Sequence, residues 1–231
     1  MAEERNAAGQ RLGPRVAIRL PRPRPTTADL AGRYVSLTPT QPDDAGPLFD
    51  AFAADTSGAG WTYLPQEPFA TQDAFAHWLA PVCDGDDPVF YTIRDANGVP
   101  QGLASYLRIT PDMGVIEVGN IHFAPALQAT TGATEAMYLM MQHVFDDLGY
   151  RRYEWKCNAL NAPSRRAAIR LGFTYEGTFR QAAVVKGRNR DTAWYAMLDS
   201  EWPAQKARFE RWLSPHNFDA GGAQIAALAD A

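Results

Sequence analysis

Apolar residues recur along this chain at two spacings, and the alternation of the two predicts a layered α/β fold. Strand-like runs fall at residues 34–37, 89–94, 101–109, 115–123, 152–157, 175–185 and 191–198. Between them the period changes to that of a helix. Phe75, Trp78, Leu79 and Val82 share one face of a helix that Thr71 can cap and that ends before Asp84-Gly85-Asp86. Met137, Met140, Met141, Val144, Phe145 and Leu148 line one face of a helix over residues 134–148, stopped by Gly149. Asn161 can cap another with Pro163 in its first turn and Ala167, Ala168 and Leu171 along it, ended by Gly172. Further helices are predicted over 42–54, opened by Pro42-Asp43, and over 201–213. Asp95-Ala96-Asn97-Gly98 reads as a hairpin turn, residues 110–114 as another, and 58–69 as a loop. The expected architecture is a mixed sheet with helices on both faces.

Composition narrows this picture. A chain of 231 residues, 46% hydrophobic and 21% charged, has the make-up of one globular domain with its own core. No apolar run reaches the roughly 20 residues that span a bilayer, and the first residues lack an apolar signal core, so the expected location is the cytoplasm with no membrane partner. Cys83 and Cys157 stand apart, which suggests neither a zinc site nor a disulfide. The net charge of -4 supplies no general attraction for nucleic acid. Residues 1–30 form a proline-rich arm with six arginines and no acid between Arg5 and Arg24, read as an extended segment on the domain edge or a contact for an anionic partner. The organised domain is expected over 31–213. The tail, 214–231, is rich in Ala and Gly and is expected to fray or form a short helix.

One ordered set of residues carries a family resemblance. Glu117-Val118-Gly119-Asn120, Phe123-Ala124-Pro125, Gln128, Ala133-Thr134-Glu135-Ala136, Phe145, Arg152, Glu154, Asn161-Ala162-Pro163-Ser164, Leu171-Gly172-Phe173 and Glu176-Gly177-Thr178-Phe179-Arg180 resemble the GNAT branch that contains ribosomal-protein N-terminal acetyltransferases. The resemblance spans residues 33–197. It implies an α/β (α+β) GNAT fold, a mostly antiparallel sheet splayed between its fourth and fifth strands, with acetyl-CoA in the gap. A diphosphate needs backbone N–H donors and a positive potential, which a tight loop opening onto a helix supplies. Gln128, Ala129, Thr130, Thr131, Gly132, Ala133 and Thr134 form the expected loop. Here Thr131 replaces a family glycine, and Thr resists positive φ. By the resemblance, Ile121 and Phe123 offer main-chain groups to the pantetheine arm, and Asn161 an amide, although Asn161 also reads as a plain cap. Arg165, with Arg166 and Arg170, sets a basic cluster nearby, one member of which is expected on the 3′-phosphate and the others on a solvated face.

The implied reaction is acetyl transfer from acetyl-CoA to a primary amine by direct attack in a ternary complex. It needs a neutral amine, a polarised carbonyl and a proton for the sulfur. Glu117 is the first expected base, with a structural ion pair to an arginine as the alternative. His122 is the second, and Ser164 is expected to protonate the leaving thiolate or to serve as a helix-start hydroxyl. Trp61, Tyr63, Arg180, Arg188 and Arg190 are expected around the acceptor, a small-molecule amine or protein N-terminus, with surface pairing to Asp191 as the bland alternative for the arginines. A non-catalytic acyl-CoA-binding module or sensor is the competing reading. Relatives of this type often pair, so a homodimer is admitted.

Overall fold

The computed structural model describes residues 4–25 and 28–230; the outermost residues of the predicted arm and tail, and two near residue 26, lie outside the described residues. Among the described residues, eight strands make one sheet in the order β1-β2-β3-β4-β5-β6-β8-β7. They are β1 (Leu30–Ala31), β2 (Val35–Pro39), β3 (Val89–Asp95), β4 (Pro100–Thr110), β5 (Val115–Phe123), β6 (Arg152–Asn158), β7 (Thr174–Val185) and β8 (Arg188–Leu198). Counting the two-residue β1, the fourth and fifth predicted strands become β5 and β6. Among the described residues five α-helices flank the sheet: α1 (Ala45–Ala53), α2 (Gln72–Cys83), α3 (Thr131–Gln142, continued by a π-helical turn, His143–Asp147), α4 (Ala162–Arg170) and α5 (Trp202–Leu213). None is long and apolar enough to cross a membrane.

Strand alternation divides the apolar residues between two layers. On β4, Ala104 and Tyr106 belong to the larger cluster, with Met137, Met140, Met141 and Val144 of the α3 segment and Phe209 of α5. Leu103 points the other way, onto Leu48, Phe52, Phe75 and Leu79 of α1 and α2. Each fully buried Leu or Phe contributes roughly 2 kcal/mol of apolar transfer. The buried Glu135 carboxylate of α3 accepts the backbone N–H groups of Arg33, Tyr34 and Val35 at 2.9, 2.6 and 2.9 Å, which anchors that helix to the β1–β2 turn.

Two segments differ from the sequence reading. The break expected between the strands at 175–185 and 191–198 is a two-residue hairpin turn, and β8 already begins at Arg188. Lys186 and Gly187 both take positive φ, 50° and 68°, as a tight hairpin matching strand twist requires. The tail after α5 is folded rather than frayed: Asn217 holds Trp212 and Ala226 through its side chain, and Leu228 is 1% exposed in the main core.

Candidate functional site

The cleft begins where the sheet stops being a sheet. β5 and β6 pair in parallel over Val115–Val118 and Arg152–Trp155, and beyond Val118 β5 has no partner on β6. A bulge on β5 lies just past that point. Leu103 faces His122 and Ser105 faces Gly119, so two residues of β5, Asn120 and Ile121, oppose one of β4. Asn120 takes φ 51°, a left-handed conformation that Asn tolerates, and its Nδ2 donates to Ser105 Oγ at 2.8 Å. The splay and bulge open onto a cleft of about 1240 Å³ lined by Ile121, His122 and Phe123 on one wall and Trp155, Asn161 and Ser164 on another.

A tight turn leads from β5 into α3. Gln128 Nε2 donates to the Phe123 carbonyl at 2.8 Å, and Ala129 takes φ 58°. Thr130 caps α3, its Oγ1 accepting from the Ala133 amide at 3.1 Å. Thr131 is already the first helical residue, so it never needs the positive φ that its replacement of glycine called into question; Ala129 carries that conformation instead. The amides of Thr131 and Gly132 have no backbone or side-chain acceptor among the described residues; of the two residues Thr131 lines the cleft, which leaves its donor and the helix dipole there. Gln128, Ala129, Thr130, Thr131, Ala133 and Thr134 line the cleft, but Gly132 does not. A Cβ on Gly132 would approach Val35 Cγ1 to 2.8 Å, so glycine here lets α3 seat on β2.

The start of α4 closes the opposite wall. Asn161 Oδ1 accepts from the Ser164 amide at 3.1 Å, and Trp155 Nε1 donates to Ser164 Oγ at 3.0 Å. The same hydroxyl also hydrogen-bonds the buried Cys157 thiol. Arg165, expected in the cofactor site, turns away: its Nε donates to Tyr195 Oη at 3.1 Å and its Nη1 to the Ala159 carbonyl at 3.3 Å. Helical periodicity sends Arg166 and Arg170 to the cleft instead.

The other end of the cleft is formed by the α1–α2 connection. Tyr63 lines it, its hydroxyl donating to the Leu160 carbonyl at 3.1 Å. Trp61 does not line it. It is 6% exposed and packs in the second core against Phe52 and His122, because a tryptophan in a tight loop gains more from burial than from solvent. His122 lies between the Phe52 and Trp61 rings, at centroid distances of 4.1 and 4.2 Å, and burial pushes its imidazole down to about 4, only partly countered by Asp55 and the Gly60 backbone. It is therefore neutral at pH 7. A Cβ on Gly60 would meet His122 Cε1 at 2.9 Å, which makes glycine necessary there. Asp55, which the sequence reading passed over, also lines this end. Its carboxylate accepts from Ser57 Oγ at 2.6 Å and the Gly60 amide at 2.8 Å, and these bonds hold it below the usual carboxylate range. The spacing Asp55-Thr56-Ser57 was its available signal, a side chain that bonds its own turn.

Glu117 lies off the cleft. Its carboxylate is 3% exposed and receives Arg108 Nη1 at 2.7 and 2.8 Å and Lys156 Nζ at 2.8 Å. Lys156 also bridges to Glu154 at 2.7 Å and lies 3.7 Å from the Trp194 ring centroid. The ion-pair alternative describes this geometry. Arg180 and Arg188 are exposed on the β7–β8 hairpin and Arg190 is half-buried; none of the three lines the cleft.

Residues 35–174 match the model of the acetyltransferase (GNAT) domain family. The chain belongs to the GNAT acetyltransferase family. A GCN5-related N-acetyltransferase from Brucella melitensis has the same fold at a TM-score of 0.90 and 47% identity, over 93% of this chain and 98% of that one. The uncharacterized N-acetyltransferase YnaD of Bacillus subtilis (strain 168) is 25% identical over 140 residues, 61% of this chain and 81% of its own. RimL, a ribosomal L7/L12 alpha-N-protein acetyltransferase solved with coenzyme A, has a TM-score of 0.64 at 19% identity, over 74% of this chain and 98% of that one, a likeness of fold. The family uses acetyl-CoA, and this acyltransferase's cleft fits such a molecule: its volume exceeds the ~300–1,000 Å³ of drug-sized sites, and Thr131, whose amide at the start of α3 has no acceptor among the described residues, lines it.

Proposed function

We propose that this GNAT enzyme transfers the acetyl group of acetyl-CoA to a primary amine by direct attack in a ternary complex. The observation that carries the reading is one cleft that joins the bulged, unpaired end of β5 to the N-termini of α3 and α4. Acetyl-CoA supplies the activated thioester. Within the cleft, the turn at 128–130 and the start of α3 hold the diphosphate, and the main chain of Ile121 and Phe123, which has no partner on β6, holds the pantetheine arm as an added strand would be held. A backbone N–H at the bulge polarises the thioester carbonyl. Ser164, whose oxygen accepts from Trp155, exchanges its bond to Cys157 for the departing sulfur and gives that sulfur its proton.

The acceptor enters from the α1–α2 end. Asp55 is ionised and partly open to the cleft, so it attracts the cationic form of an amine. To His122, kept neutral by burial, we assign the uptake of the proton that the attacking nitrogen loses, directly or through water. Glu117 is assigned a structural role, since both its oxygens are committed to cations. The acceptor is a protein N-terminus or a small amine. Initial rates with acetyl-CoA over a panel of N-terminal peptides and small amines test this reading. Intersecting double-reciprocal lines and a loss of at least tenfold in kcat for His122→Gln are expected. Parallel lines, or tight acetyl-CoA binding with no turnover on any amine, would instead favour a covalent route or the sensor.

A further inference from the structure

The cleft does not end at α4. Its far end is closed by Trp212 at the end of α5 and by the segment beyond that helix, which contributes Phe218, Gly222 and Gln224 to the lining beside Arg166 and Arg170. This wall is constructed. Phe218 and Gln224 pair across a tight reversal of the chain, the Asn217 amide clamps it to Trp212 and Ala226, and the Phe218 ring packs edge-on against Trp212 and Tyr34 at 5.4 and 6.1 Å. Gln224 Oε1 accepts from Trp212 Nε1 at 2.9 Å, which orients the amide, while its NH₂ has no acceptor among the described residues.

The charge beside this wall is unbalanced. Arg170 lies 5.2 Å from the Trp212 ring centroid and donates to Thr134 Oγ1 at 3.1 Å, and Arg208 donates to the Arg170 carbonyl at 3.3 Å. Among the described residues, Arg166, Arg170 and Arg208 form no ion pair, and Arg208 Nε is buried without a partner. Arg166 and Arg170 line the cleft, and their uncompensated guanidinium groups call for an anion. An aromatic face, a directed amide donor and a phosphate-seeking pair of arginines together match a purine nucleotide.

We propose that the C-terminal segment 214–230 is a purine-recognising wall of the cofactor cleft, with Phe218 against the base and the Gln224 amide on its edge, so that the enzyme selects a donor carrying a phosphorylated adenosine. The inference rests on the acetyl-CoA reading above. It assigns to the tail the discrimination between coenzyme A and shorter pantetheine carriers, which share the chemistry of the thiol but lack the adenosine.

Calorimetric titration of the full chain with coenzyme A, 4′-phosphopantetheine and adenosine 3′,5′-bisphosphate tests it. For the unaltered protein, coenzyme A binds tighter than 4′-phosphopantetheine, and adenosine 3′,5′-bisphosphate binds on its own. Phe218→Ala and Gln224→Ala, each checked for an unchanged melting midpoint, should narrow the ratio of the two carriers' Kd values by about tenfold, the scale of one base stacked on an aromatic ring. Gln224 is exposed, so its variant remains informative if the Phe218 variant folds poorly. Equal Kd values for the two carriers in the unaltered protein, or a ratio that neither variant changes, would overturn the tail's role while leaving acetyl-CoA as donor. Failure of the unaltered protein to bind any of the three would overturn the acetyl-CoA reading instead.

Discussion

At the cofactor end of the cleft the polar groups belong to backbone held by neighbours in sequence: Thr130 caps α3 three residues on, Asn161 caps α4 three residues on, and Gln128 reaches back five residues to Phe123. At the acceptor end, Asp55 in its own turn apart, they are side chains brought together over long separations. Tyr63 reaches Leu160, Lys186 reaches Trp61 and Glu67, and His122 sits between Phe52 and Trp61. Local geometry lets the first end form from short stretches of chain. Long-range geometry leaves the second end free to vary with the acceptor, at the cost of depending on everything around it.

Four substitutions press on that contrast, beginning with the ion cluster under the acceptor side of the sheet. Glu117→Ala leaves Lys156, whose side chain is 6% exposed, with one carboxylate in place of two. Removing one partner from a buried ionic network costs about 3–5 kcal/mol, because the remaining charge stays desolvated. Urea unfolding should show a loss of about that size. An intact stability together with loss of the acidic limb of the kcat–pH profile would restore Glu117 as the base and move the catalytic centre away from His122.

His122 gives the next effect. Its imidazole titrates near 6.5 in the unfolded chain and at about 4 when folded. Between those values the unfolded chain binds a proton that the folded chain does not, so stability is complete above pH 6.5 and declines as the pH falls toward 4. A difference of this size is worth about 3 kcal/mol at the lower limit. His122→Gln should remove that part of the acid sensitivity, measured as the difference in urea midpoint between pH 7.5 and 4.5. Equal acid sensitivity in both proteins would mean that the imidazole is not shielded from water as described.

The same contrast explains how much the sequence alone could disclose. The order of strands and helices was legible because each is written in a local period, and the Met137, Met140, Met141, Val144 face was found where α3 packs. The cofactor turn was found but read late, since Thr131 looked like a loop residue and is the first residue of the helix. Arg165 and Arg166 differ by one position, about 100° around a helix, and the sequence could not say which of them faces the cleft. Trp61 and Asp55 depended on how a loop without a period folds over β5. The tail was misjudged because its Ala and Gly content says nothing of Asn217, whose one side chain replaces several backbone bonds. Asn161→Ala tests the legible end: loss of a cap costs about 1 kcal/mol of stability, and KM for acetyl-CoA should rise several-fold while KM for the acceptor is unchanged.

The smallest expected effect on stability is the most informative about the acceptor. Lys186 Nζ donates to the Trp61 carbonyl at 2.8 Å and pairs with Glu67 at 3.0 Å, joining the tip of the β7–β8 hairpin to the α1–α2 loop. Glu67 is largely exposed, so the pair itself is worth only a few tenths of a kcal/mol, and Lys186→Met should barely move the urea midpoint. The contact nevertheless fixes where Trp61 stands, and Trp61 backs His122. If the acceptor end is assembled by such distant tethers, the variant should raise KM for the amine several-fold with KM for acetyl-CoA constant. A change confined to acetyl-CoA would mean that the hairpin serves the cofactor end, and that the two halves of the cleft are not built separately.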